Sequence, residues 1–395
     1  MNQPAETRAA DQATLFAVLT PPGRGAVATV GVRGPRAVAI VARRFAPAAG
    51  QPLTEYPVGR VLFGRFRGDG TAKEELVVGL VAPDEVEVHC HGGLAAVEAV
   101  TAALVAEGAR RIDWRTWSEQ IEPDLLASEA LIALADARTE RTAAVLLDQY
   151  RGALREKVRQ IAGKLRQEDA SAAAAGLSRL LDRAELGRHL MRPWRVVIAG
   201  RPNAGKSSLM NALLGFQRSI VFAEPGTTRD VLTATTALDG WPVELADTAG
   251  LRASGDAIET EGVERALLQV READLVLLVC DVTADWSLHE DDVLAAARRA
   301  LVIHHKCDLV EPPSDGRPVG LAVSSLSLHG IEELCSEIVI RLVPDPPQPG
   351  EGIPINDRQV NLTKQALDAV TSGQVADAIW LLAELVGERN STLPR

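Results

Sequence analysis

The sequence predicts an α/β P-loop domain inserted into an α-helical domain and preceded by an α+β N-terminal domain. Three observations carry this prediction. The stretch "RVVIAGRPNAGKSSLMNALLG", Arg195 to Gly215, sets an apolar run before a glycine loop and a helical pattern after it. From there to about Val343, strand-like and helix-like segments alternate. On both sides of that block, Ala-, Leu-, Glu- and Arg-rich segments repeat their apolar residues at helical spacing.

Residues 1–118 are expected to form the α+β domain, which serves dimerisation in the resemblance drawn below. Short apolar runs such as "AVATVGV", "VGRVLFGRF" and "ELVVGLVA" alternate there with Gly/Pro turns, and "LAAVEAVTAALVAEGA" follows as a helix. Residues 119–192 read as the first part of the helical domain, weakly interrupted near "SAAAAG". Residues 193–344 hold candidate strands at "VVIAG", "PVELADT", "DLVLLVCD", "LVIHHKCD" and "GLAVSS". The Pro-rich "VPDPPQPGEGIP" reads as a linker, after which residues 345–395 supply the second helical part in "RQVNLTKQALDAV" and "DAIWLLAELVG".

At 395 residues the chain is long enough for two to three domains with real cores. Its four cysteines, Cys90, Cys280, Cys307 and Cys335, lack C-x-x-C spacing, so neither a zinc site nor a disulfide framework is expected. No stretch approaches a membrane span, and "MNQPAETRAADQ" has no apolar signal core, so a cytoplasmic protein is expected. The net charge of −11 argues against broad electrostatic nucleic-acid binding, and no DNA partner is expected, while a local basic face for tRNA stays open. The best local basic stretch, "RGALREKVRQIAGKLRQ", reads as a solvated helix face rather than a nucleic-acid track.

Gly200, Gly205, Lys206 and Ser207 make the spacing G-x-x-x-x-G-K-S. Between a strand and a helix, such a loop turns backbone N–H groups toward a β-phosphate. Lys206 neutralises phosphate oxygens and the Ser207 hydroxyl ligates Mg²⁺. Asn203, Ala204 and Ser208 line the same loop. Downstream, "PGTTRD" places Thr228 as a switch threonine for Mg²⁺ and the γ-phosphate. "DTAG" (Asp247, Thr248, Ala249, Gly250) places a carboxylate near the metal and a glycine N–H near the γ-phosphate. "HHKCD" offers His305, Lys306 and Asp308 for the base, with Ser324 and Ser325 after the last strand. A carboxylate at Asp308 accepts from guanine N1–H and N2, which adenine cannot match, so the nucleotide read is GTP.

The motifs "GRPNAGKSSLMNALLG", "PGTTRD", "DTAGLR" and "EGVERA", with "TPPGRGAVATVGVRGP" and "EVHCHGG", resemble the MnmE (TrmE) family of tRNA modification GTPases over nearly the whole chain. The resemblance implies a P-loop GTPase domain inserted into a helical domain, K⁺-assisted GTP hydrolysis, homodimerisation through the N-terminal domain, and action with MnmG on the wobble uridine of certain tRNAs. It implies K⁺ ligation by Asn203, Thr227 and the carbonyls of Phe222 and Glu224, and a water-orienting role for Glu259. His305 stands where the family has Asn; an imidazole N–H is expected to donate to guanine N7 without an amide's paired groups.

Outside that domain the chain departs from the family. The C-terminal C-x-G-K has no counterpart before "VGERNSTLPR", the family arginine of the folate site falls on Gly31, and its S-[YF]-T-G-E-D loop is reduced to "APDE". Of that site Glu87 alone is kept, so binding of 5-formyltetrahydrofolate is expected to be lost. Adjacent strand residues in "HCH", His89 to His91, point to opposite faces and are not expected to share a metal. Trp114 and Trp117 are expected to pack rather than stack a base. Two alternatives stay open: a GTP-dependent switch protein of the same ancestry that modifies no tRNA, and a ribosome-assembly GTPase, for which no appended RNA-binding domain is visible.

Overall fold

The computed structural model describes residues 13–21, 23, 25–68, 73–122, 124–216, 232–247, 259–311 and 317–388. The chain divides into two compact units, Met1–Pro123 and Asp124–Arg395.

In the first unit, β1 (Leu15–Val18), β2 (Val27–Arg33), α1 (Ala37–Arg44), β3 (Phe45–Pro47), β4 (Val61–Arg67), β5 (Lys73–Ala82), β6 (Glu85–His91), α2 (Leu94–Ala106), β7 (Arg110–Arg111) and α3 (Trp114–Ile121) follow in order. The seven strands lie as β3-β4-β5-β6-β2-β1-β7, antiparallel except for β1 with β7. Strict alternation in β4 and β6 turns Leu62, Phe66, Val86, Val88 and Cys90 to one face, where α1 and α2 cover them with Ile40, Val41, Val100 and Leu104. The same alternation separates the "HCH" side chains. Cys90 enters the core, His89 Nδ1 meets Thr29 Oγ1 at 3.0 Å, and His91 Nδ1 meets Glu74 at 2.9 Å. Among the described residues no group of three or more His, Cys, Asp or Glu is placed to hold a metal.

The second unit begins with α4 (Leu125–Ala135), α5 (Glu140–Tyr150), α6 (Ala153–Arg166), α7 (Ala170–Asp182) and α8 (Ala184–His189). The α/β part comprises β8 (Trp194–Ala199), α9 (Lys206–Phe216), β9 (Leu232–Leu238), β10 (Trp241–Asp247), α10 (Glu259–Glu272), β11 (Leu275–Asp281), α11 (Leu288–Ala296), β12 (Ala300–His305), β13 (Leu321–Val323) and α12 (Ile331–Leu342). Two helices, α13 (Asp357–Thr371) and α14 (Val375–Leu385), complete it. The six strands lie as β13-β12-β11-β8-β10-β9, parallel except for β9. Helices cover both faces, so β8 and β11 are near-continuous apolar runs. Val196, Ile198, Leu277 and Ile303 pack under α9 and α12, while Val197, Leu278 and Val302 pack toward Val270 of α10 and Val293 of α11.

The helical segments on either side of this α/β block share one core. Leu154, Val158, Ile161, Leu177 and Leu180 pack with Leu362, Ala366, Leu382 and Leu385. The α/β domain is therefore inserted into a helical domain. Three local expectations change. "SAAAAG" does not interrupt a helix: it lies in α7, where Gly176 lets Ile161 of α6 approach, and the break falls earlier, at Glu168 with φ +61° and the N-cap Asp169. The Pro-rich segment is a packed strap, with Ile353 and Ile355 buried and Arg183 paired to Asp345 and Glu351 at 2.7 Å. The strand β9, unassigned in the sequence reading, forms a hairpin with β10 through Asp239 and Gly240, both at positive φ, the signature of a two-residue turn. The basic helix α6 is partly tied down, since Arg155 pairs with Asp124 and Arg159 lies 4.0 Å from Glu388.

Candidate functional site

Strand β8 sits at the point where the chain order reverses, with β10 on one side and β11 on the other. Ligands of open α/β sheets bind beyond the carboxyl ends of strands at such a point. The glycine loop leaves β8 there. Gly200 has φ +146°, and a Cβ on it would stand 2.3 Å from the Val279 carbonyl oxygen. Gly205 has φ +100°, and a Cβ there would stand 2.3 Å from the His305 ring. Side chains at either position would open the loop.

Lys206 begins α9 and is buried; its Nζ donates to the carbonyl oxygens of Gly200 and Arg201 at 2.9 Å. This curls the loop around the ammonium. Ser207 Oγ donates to Asp247 Oδ2 at 2.7 Å, joining the first turn of α9 to the fully buried carboxylate at the end of β10. Ser208 follows, exposed, on α9. Asn203 takes φ +62°, and its carbonyl oxygen accepts from Lys306 Nζ at 2.8 Å. The buried Ala204 gives its carbonyl to His305 Nδ1 at 2.9 Å.

The expected base-binding residues thus reach the phosphate loop directly. His305 Nδ1 faces the Ala204 carbonyl oxygen and Nε2 lies 2.7 Å from Ser325 Oγ, so both ring nitrogens are engaged by protein rather than free to face guanine N7. Burial, opposed by the Ala204 carbonyl, holds the His305 pKa below the ordinary imidazole value. Ser324 is buried and shapes its loop, its Oγ accepting from the N–H groups of Leu326 and Ser327. Asp308 is exposed just beyond β12.

The sequence reading missed Asp281. This carboxylate ends β11 and binds Lys306 Nζ at 2.5 Å and Thr283 Oγ1 at 2.7 Å. Its burial favours the neutral acid, but Lys306 and Thr283 outweigh that and bring its pKa down to about 2. An acid at a strand end facing the "HHKCD" strand was the available signal. Also missed was Arg201, whose Nε lies 2.6 Å from the buried Glu290. Phe222, Glu224, Thr227, Thr228, Thr248, Ala249 and Gly250 lie outside the described residues. Glu259 opens α10, and its side chain lies outside them too.

In the first unit, Glu87 lies on β6 opposite Gly31 of β2, with its carboxylate 3.4 Å from His89 Nε2. The buried Trp117 covers Gly31 so closely that a Cβ there would stand 2.5 Å from the indole. Trp114 is half-buried, with the Arg115 guanidinium 4.5 Å over its ring. Burial pushes the thiols of Cys90 and Cys335 up to about 11 and that of Cys280 to about 12, so none of the three is a nucleophilic thiolate near neutrality. Among the described residues no helix is long and apolar enough to cross a membrane.

The N-terminal family described as "GTP-binding protein TrmE N-terminus" matches residues 14–113, and the "50S ribosome-binding GTPase" family matches residues 195–307. The chain is 33% identical to the tRNA modification GTPase MnmE of Moorella thermoacetica, over 82% of this chain and 81% of that protein. It is 31% identical to the protein of the same description from Geobacillus kaustophilus, over 95% of each. Among solved structures, the G domain of the T. maritima FeoB iron transporter matches 38% of this chain and 99% of that one at 26% identity, with a TM-score of 0.30.

Proposed function

Because the chain belongs to the MnmE family of tRNA modification GTPases, we propose that it hydrolyses GTP with Mg²⁺ and K⁺, as a homodimer, in the service of tRNA wobble uridine modification with an MnmG-like partner. The observation that carries this reading is the Ser207–Asp247 hydrogen bond at 2.7 Å, beside a loop whose carbonyls hold Lys206. A hydroxyl and a carboxylate are hard oxygen donors of the kind Mg²⁺ takes. When bound, that ion neutralises charge on β- and γ-phosphate oxygens. Ser207 and Thr228 would hold it, Lys206 would stabilise the same oxygens, and Glu259 would orient water for in-line attack.

The K⁺ role rests on Asn203, held in an exposed left-handed turn by Lys306, with a side-chain amide oxygen suited to a monovalent cation. Its partners Phe222, Glu224 and Thr227 complete the proposed set. Homodimerisation through the first unit is supported by Val27, Val61 and Phe63, exposed on the outer face of its sheet at 56%, 71% and 55%.

The residues do not fit 5-formyltetrahydrofolate. Gly31 offers no side chain, Trp117 fills the space over it, and the carboxylate of Glu87, opposite Gly31, faces His89 Nε2 at 3.4 Å. The same observation favours a second reading, a GTP-dependent switch protein of this ancestry that carries out no one-carbon transfer.

Hydrolysis measured in KCl and in NaCl at equal ionic strength tests the first reading. Turnover should be faster in KCl, and Asn203→Ala should remove the difference. Equal rates in the two salts for the native chain would discard the K⁺ role.

A further inference from the structure

The residue at the end of β12 has no free hydrogen-bonding group. His305 Nδ1 lies 2.9 Å from the Ala204 carbonyl oxygen and Nε2 lies 2.7 Å from Ser325 Oγ. A carbonyl oxygen only accepts, so Nδ1 carries the hydrogen of that contact. In the neutral ring Nε2 then has only a lone pair, and it accepts the Ser325 hydroxyl hydrogen. Protonation would not release a donor either, because both nitrogens would still face these oxygens. The ring is buried and lies so close against the phosphate loop that a Cβ on Gly205 would stand 2.3 Å from it, which leaves it wedged between that loop and Ser325.

We infer that His305 is a positioning residue that ties the phosphate loop to the loop after β13, and that guanine is read here without a hydrogen bond to its N7. The inference rests on the guanine-nucleotide reading above. Recognition of the base then falls on its other edge, where the exposed Asp308 carboxylate accepts from N1–H and the N2 amino group. His305 acts on affinity through Ala204 and Ser325 alone. Lys306 makes a parallel tie through Asn203, so two consecutive residues hold two consecutive carbonyls of the phosphate loop.

Replacing guanine N7 by carbon tests this directly. The purified chain is titrated with GDP and with 7-deaza-GDP by calorimetry. A lost neutral hydrogen bond would separate the two affinities by roughly three- to tenfold, and here they should agree within about twofold, less than one such bond is worth. His305→Asn brings an amide with two hydrogens, one for Ala204 and one for N7, so this variant should favour GDP over 7-deaza-GDP by roughly threefold or more. His305→Ala should weaken both nucleotides together and leave their ratio near one. A native chain that prefers GDP by threefold or more overturns the inference, as does a ratio that stays at one in His305→Asn. A native chain that binds neither nucleotide overturns the guanine reading and this inference with it.

Discussion

Asp281 shows how much a single unassigned side chain can organise. It receives Lys306 Nζ and the Thr283 hydroxyl and N–H, and Lys306 in turn reaches the Asn203 carbonyl. The chain of contacts runs from the end of β11 to the phosphate loop. Burial raises the Asp281 pKa and its donors lower it further than burial raises it, leaving it near 2 against an ordinary 3.8. A carboxyl depressed in this way stabilises the folded state above its unfolded pKa, and the contribution is lost as pH falls through the folded value. Asp281→Asn should therefore cost about 2 kcal/mol at pH 7. The gap between native and variant stability should hold down to pH near 4 and close toward pH 2. Urea denaturation across that range measures it, and a gap that widens on acidification would contradict the assignment.

Part of this residue-scale picture was legible beforehand. The spacing of Gly200, Gly205, Lys206 and Ser207 between a strand and a helix marks a phosphate loop, and the order of "DTAG" and "HHKCD" behind it follows from strand ends meeting at one edge of the sheet. The role of His305 was not legible. Whether an imidazole faces a ligand or a carbonyl depends on how close a sequence-distant glycine lets it come, and no spacing encodes that distance. The same holds for Trp117, whose packing on Gly31 is a contact across the sheet rather than a local pattern.

Among the elements, the β9–β10 hairpin is the least expected, and its tip is tied to α5. Its strand "LTATTAL" is Thr- and Ala-rich with no strong apolar run, which is why it escaped the sequence reading, although "DG" marked its turn. The five buried parallel strands were readable because a strand covered on both faces must be apolar throughout. The hairpin tip docks on the start of α5. Thr139 Oγ1 donates to the Gly240 carbonyl at 2.6 Å and accepts from Thr142 N at 3.2 Å, capping the helix. Arg141 Nη1 donates to Asp239 O and Oδ2 at 2.7 and 2.6 Å, with its guanidinium 5.3 Å over Trp241. Thr139→Ala removes the cap and the hairpin contact together and should lower stability by about 1 to 3 kcal/mol. Thr139→Ser keeps the hydroxyl and should lose less than half of that. Chemical denaturation compares them, and equal midpoints for the two variants would show that the hydroxyl is not what holds the hairpin.

At the scale of the second unit, the strap between α12 and α13 closes the insertion. A polypeptide that leaves the helical domain at α8 and returns at α13 needs its two crossings fixed, or the α/β domain would swing on them. Gln149 of α5 fixes the returning one. Its Nε2 donates to the Glu351 carbonyl at 2.9 Å and its Oε1 accepts from Ile353 N at 3.0 Å, a side-chain amide paired with the backbone as a strand would be. Arg358, next along, holds Glu129 of α4 through two contacts of 2.6 and 2.7 Å, and Gln359 adds a third at 2.8 Å. Gln149 is buried, so its removal leaves a strap carbonyl and a buried amide without partners. Gln149→Leu, close in volume, should therefore destabilise the chain by about 2 to 4 kcal/mol, more than the loss of an exposed hydrogen bond would. The helical halves still share the Leu154–Leu382 core, so the helical content should be unchanged by circular dichroism. Unfolding followed at the buried Trp194 and Trp241 of the α/β part should shift to lower denaturant, and an unshifted midpoint would mean that the apolar seating of Ile353 and Ile355 fixes the crossing without Gln149.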